Sequence, residues 1–195
     1  MSNCDTLEKD MRLKLKEILD DVNKWLAFAE TKNGAIIALN GALLAGLVNI
    51  MLNKDFNGYF GIWVKIPLYI SSLCSVLAIT FSLISFLPQL SVFKENEPCS
   101  VGNCILNFYG DIAKYKSANQ YMKDIYKQYY GVDKEENQLL KIELDYAKEL
   151  IINSCITVKK YRWFRLSLQF TISAVVTPIP VIIGKIIIFI INKIN

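Results

Sequence analysis

The sequence contains no histidine. That removes the side chain most often used as a general base near neutral pH, and one of the usual zinc ligands. The cysteines, Cys4, Cys74, Cys99, Cys104 and Cys155, are odd in number, and Cys74 falls inside a long uncharged stretch. A disulfide framework is therefore not expected. Cys99 and Cys104 lack the spacing of a zinc knuckle, so the thiols read as reduced and structural and no metal site is expected. Glycine forms no phosphate-cradling loop ahead of a helix, and no nucleophile stands with a base. Asp111, Asp145 and Glu149 read as the solvated face of helices. No catalytic residue, metal or cofactor is expected, and the chain reads as a non-enzyme.

Charge is missing from three stretches. No Asp, Glu, Lys or Arg occurs for 21 residues after Lys32, for 28 after Lys65 and for 19 after Arg165. Each is long enough for a helix that crosses a hydrocarbon core of about 30 Å. An all-α membrane protein is expected, with three hydrophobic membrane helices, an amphipathic N-terminal helix and a two-helix cytoplasmic region. The divisions are residues 1–32, a transmembrane hairpin at 33–93, a helical region at 94–165 and a third segment at 166–195. No cleavable leader is visible, because the first apolar run follows a charged helix.

A net charge of +4 does not point to nucleic acid, because six Lys/Arg in residues 1–32 are matched by seven Asp/Glu. The densest basic cluster, Lys159, Lys160, Arg162 and Arg165, precedes the last hydrophobic stretch, where anionic headgroups attract cations. Membrane lipids are thus the expected contact. Twelve Lys/Arg lie in residues 94–165, six in 1–32 and two in 53–65. This places the N-terminus and the 94–165 region in the cytoplasm and, with three crossings, Asn195 outside.

Along the chain, Asp5 and Glu8 have capping-box spacing at the start of an amphipathic helix. Its stripe, Leu7, Met11, Leu15, Ile18, Val22, Trp25 and Ala29, repeats in steps of four and three and calls for a partner helix, from the same chain or another copy. The first membrane segment, Asn33 to Leu52, carries Gly34, Ala38, Ala42 and Gly46 on one face, a pattern that lets backbones approach closely in lipid. Asn40, in mid-segment, must find a hydrogen-bond partner away from acyl chains.

The second span, about Ile66 to Phe86, repeats Ser71, Ser75, Ala78, Ser82 and Ser85 on one stripe. Two readings stay open: close packing with back-bonded serines, or the lining of a water-filled path between assembled copies. Pro88 and the Glu95–Pro98 run mark the membrane exit. Amphipathic helices are expected at Ile105 to Tyr130, stopped by Gly131, and at Lys134 to Arg165; the tyrosines of the first would suit a docking face. The last segment, Leu166 to Ile191, is expected to be a span kinked at Pro178 and Pro180, with Lys185 near its end, or else a re-entrant hairpin.

The run Glu30-Thr31-Lys32-Asn33-Gly34-Ala35 leading to Ala38-Leu39-Asn40-Gly41-Ala42-Leu43-Leu44, with Asn107-Phe108-Tyr109-Gly110-Asp111-Ile112 and Asn153-Ser154 through Lys160-Tyr161-Arg162-Trp163, resembles the transmembrane effector family of Pycsar anti-phage defence. Glu30 stands where Asp is expected in that family. The resemblance implies a bacterial inner-membrane effector that impairs the membrane of an infected cell. Some members of the family act through a cyclic pyrimidine nucleotide bound by an attached sensor domain. No strand pattern in this chain suits a cyclic-nucleotide-binding β-barrel, so a cyclic nucleotide would meet the helical region or a separate sensor protein. Self-association through the N-terminal helix and the Gly34/Ala38/Ala42/Gly46 face is expected. Lys32, with Lys159, Lys160, Arg162 and Arg165, would contact an anionic ligand or lipid, or simply anchor topology. A scaffold that docks a cytoplasmic partner is the alternative.

Overall fold

The computed structural model describes residues 3–52, 62–87 and 105–181, and beyond these 183, 184, 187 and 190. The side chains of Cys4 and Asp5, together with Pro88, the Glu95–Pro98 run, Cys99, Cys104 and Lys185, lie outside the described residues. All regular structure among the described residues is helical. Helix α1 spans Asn3–Leu52, α2 spans Ile62–Phe86, α3 spans Tyr109–Ile112, α4 spans Ala118–Ile125 and α5 spans Lys141–Val176. Three helical stretches, Thr6–Leu52, Val64–Phe86 and Lys141–Val181, are long and apolar enough to cross a membrane.

The chain divides into two compact units, one of residues 1–29 and 88–161, the other of 30–87 and 162–195. In the first unit, the N-terminal stripe finds its partner within the chain. Met11, Leu15, Ile18 and Val22 are almost wholly buried against Ile112, Tyr121, Met122, Ile125, Tyr126, Leu150 and Ile151 in one core. Trp25 alone of the stripe is well exposed, and its ring meets Phe28 and Tyr109 at the surface. α1 already begins at Asn3, so Asp5 lies inside its first turn and not ahead of it.

The 105–130 segment differs from the single helix that its periodicity predicts. It breaks after Ile112 and restarts at Ala118, with the Ser117 hydroxyl accepting from the Asn119 amide as a cap. It then widens into a π-turn over Tyr126–Tyr130. The break follows from local bonding: Asp111 accepts from the Ile105 amide and from Lys114, tying the chain into a compact knot. The same contacts correct the solvated reading of Asp111, and the Lys114 hydrogen bond holds its carboxyl below the usual carboxylate range. Gly131 closes the segment at φ 66°, a left-handed conformation suited to glycine. The last long helix starts at Lys141, seven residues later than its pattern suggests, after a single 3₁₀ turn at Glu136–Gln138.

Although Tyr129 stays exposed, Tyr115, Tyr121 and Tyr126 of the expected docking face point inward into this core. Their hydroxyls are satisfied there. Tyr115 donates to Asp124, Tyr121 to the Leu106 carbonyl and Tyr126 to Glu143. Glu143 is fully buried and also accepts from the Leu140 amide, while Lys134 donates to Tyr126 and sits 4.2 Å from its ring centroid. Burial and these carboxylate contacts push the Tyr115 and Tyr126 hydroxyls up from their ordinary value.

The second unit contains the described parts of the three uncharged segments. α2 runs antiparallel to α1, since Asn33 meets Ser85 while Leu47 packs on Leu68. It is also antiparallel to α5, since Ser71 meets Ala174 and Ser82 meets Ser167. α2 starts ahead of the expected Ile66 and takes Pro67 into its second turn, at the cost of one backbone bond. At the other end, α5 stops at Val176, Thr177 and Pro178 form a turn, and residues 179–181 are helical again.

Candidate functional site: a polar seam in the second unit

The second unit is polar inside and apolar outside. Asn33, Asn40, Ser71, Ser75, Ser82, Ser85, Ser167 and Thr171 are all buried, whereas Leu39, Leu73, Leu83 and Ile172 are each more than half exposed. In water this would leave a large apolar surface uncovered, but in lipid it is the stable arrangement, because backbone bonds are satisfied within helices and polar side chains turn inward.

The serine stripe of α2 faces the neighbouring helices of its own chain. Ser71 donates to the Ala174 carbonyl at 2.6 Å, Ser82 and Ser167 share a bond of 2.7 Å, and Ser167 reaches the Ala78 carbonyl at 2.6 Å. Ser85 accepts from Asn33 at 2.9 Å. The expected back-bonding occurs at Ser72 and Thr80, off the stripe. Ser71, Ser82 and Ser85 bond across helices because each directly opposes a polar atom of α1 or α5, whereas Ser75 Oγ is buried with no partner.

On α1 the two sequence-marked features separate. At about 100° per residue, Asn33, Ile36, Asn40 and Leu47 lie on one side of the helix, and Gly34, Ala38, Ala42 and Gly46 are centred roughly opposite. Asn40 is fully buried and donates to the Ile36 carbonyl and to Thr171. Among the described residues nothing packs on the small-residue face: Ala38, Ala42 and Gly46 are exposed, and a Cβ added at Gly34 or Gly46 would meet no described atom within 4 Å.

The basic residues do not form one uniform surface. Lys32 lies over the Phe164 ring at 5.4 Å, Lys159 is half-buried, Lys160 is buried, and Arg162 and Arg165 are exposed. Ser167, Thr171 and Ala174 of α5 complete the seam and escape notice in the sequence, since their spacing hides among apolar neighbours; the recurrence at Ser167, Thr171 and Ala174 in steps of four and three was the available signal. Among the described residues no group of His, Cys, Asp and Glu could hold a metal ion.

An all-helical chain with three spanning-length helices and a polar-cored membrane unit is an integral membrane protein. A model of the Pycsar effector protein domain matches residues 14–188, and the chain belongs to that family: it is a Pycsar anti-phage effector. No curated protein and no solved structure matches it.

Proposed function

We propose that the protein sits in the bacterial inner membrane, with residues 1–32 and 94–165 in the cytoplasm, and impairs membrane integrity when activated during phage infection. It acts without catalysing a reaction. Copies associate in the bilayer, and the activating signal, a cyclic nucleotide or a sensor protein, acts on the helical unit formed by residues 1–29 and 88–161. The observation that carries this reading is the open Gly34/Ala38/Ala42/Gly46 face. Small residues in lipid permit close backbone approach, and none of the described residues of the same chain uses that face. The N-terminal stripe is already buried in its own core, so association rests on the membrane face alone.

Exposed Arg162 and Arg165 suit contact with anionic headgroups or with an anionic signal. The test is expression in bacteria challenged with phage, read with a potential-sensitive dye. Depolarisation in infected cells that is lost with Ala42→Leu and Gly46→Leu is expected. A steady potential throughout infection, with the protein present at the membrane, would defeat the proposal.

A further inference from the structure

The polar seam contains atoms whose needs the protein does not meet. Asn33 Oδ1, Asn40 Oδ1 and Ser75 Oγ are buried without a hydrogen-bond partner, and all three residues are 0% exposed. An unmet polar atom in such a place is costly, and two of the three can only accept.

Register brings two of them to one level. Asn40 lies midway between the α1 positions that meet Ser85 and Leu68, and Ser75 lies between the α2 positions that meet Ala174 and Ser167. Thr171, bonded to Asn40, falls at that same level on α5. Asn40 Oδ1 and Ser75 Oγ thus belong to one layer beside Thr171. Water, which donates two hydrogen bonds and accepts two, is the smallest molecule that satisfies both.

Polar atoms recur on α2 at Ser71, Ser75, the Ala78 carbonyl, Ser82 and Ser85. Steps of three and four residues rise about 4.5 and 6 Å. Two oxygens bridged by one water lie about 5.5 Å apart. The stripe from Ser71 to Ser85 rises about 21 Å, most of a hydrocarbon core of about 30 Å. Every buried polar side chain of the second unit is neutral among the described residues, so the seam offers no fixed charge to hold an inorganic ion.

We propose that the seam binds water within each chain, centred on the Asn40/Ser75/Thr171 layer, and that the water path this effector opens through the membrane runs inside its own three helices. The binding stands on the geometry alone; the step from bound water to a membrane leak rests on the function proposed above. Copies packed through the opposite face of α1 would then set the activated state without lining the path.

The test uses the full chain in phosphatidylethanolamine–phosphatidylglycerol bilayers and solid-state NMR transfer of magnetisation from water. The Asn40 side-chain amide, assigned by its loss in Asn40→Leu, is expected to build up within about twofold of exposed Asn107 and well ahead of the backbone amide of Leu73 on the outer surface. In the same bilayers Ser75→Ala is expected to lower the melting temperature, because it removes an anchor for water; a dry, unmet hydroxyl would instead be relieved by alanine. Build-up at Asn40 no faster than at Leu73, or a raised melting temperature for Ser75→Ala, overturns the proposal. A hydrated seam in cells whose potential never changes would sink the proposed effector action and leave the water site standing.

Discussion

Asn40 donates from its carboxamide to the Thr171 hydroxyl at 2.8 Å, joining α1 to α5 across 131 positions of sequence. Cross-helix hydrogen bonds in membranes average about 0.6 kcal/mol and reach about 1.7. Asn40→Leu removes this bond and leaves Thr171 with one partner fewer. A loss of about 1 kcal/mol is expected, read as a lower melting temperature by circular dichroism in detergent. An unchanged melting temperature would mean that the seam does not hold the three helices together.

The open face of α1 should behave in the opposite way. Ala42→Leu and Gly46→Leu fill space that no described residue occupies, so monomer stability should stay within about 0.5 kcal/mol of the parent. Chemical crosslinking in membranes is expected to lose its dimer and higher bands. Crosslinking that persists in both variants would assign association to another surface.

Glu143 is a fully buried carboxylate of the first unit, accepting from Tyr126 and from the Leu140 amide. Its removal leaves both donors unmet beside Lys134. Glu143→Ala is expected to cost about 2–3 kcal/mol, and Glu143→Gln less, since the amide oxygen can still accept. Equal losses in the two variants would show that charge, not hydrogen-bonding capacity, is what the site requires.

Tyr115, Tyr121 and Tyr126 hold their protons more tightly when folded, chiefly through burial. The unfolded chain releases those protons near the ordinary tyrosine value of about 10, so above that pH it binds fewer protons than the folded chain. Stability from this source is complete below about pH 10 and declines as the solution becomes more alkaline. An absorbance titration at alkaline pH should show exposed tyrosines ionising first and these three only on unfolding. Smooth ionisation of every tyrosine with the fold intact would contradict the burial.

Gly131 adopts φ 66° with open space around its Cα. Gly131→Ala therefore meets no clash, only the left-handed penalty, and about 1 kcal/mol of destabilisation is expected in thermal melts. Gly131→Asn, which tolerates that conformation better, should recover part of it.

The composition of the chain by itself determined much of this protein. Stretches of 21, 28 and 19 residues without charge leave no solution but a lipid-embedded helix, whatever the partners. The stripe from Met11 to Val22 was legible too, because period alone marks the face that must be buried. What period could not give was the identity of the neighbour. The small-residue and Asn40 positions of α1 share one apolar run, and only tertiary register turned Asn40 inward and left Gly34, Ala38, Ala42 and Gly46 uncovered. Ser71 and Ser82 likewise could have bonded their own helix, but Ala174 and Ser167 stand opposite them, 103 and 85 residues away in sequence. The 105–130 segment misled for the same reason: helical periodicity was real, yet the Asp111 contacts with Ile105 and Lys114 tightened the chain into a knot that no periodic pattern encodes. Hydrophobic patterning acts locally and survives in any fold, whereas the choice between two available hydrogen-bond partners is made only when distant segments meet.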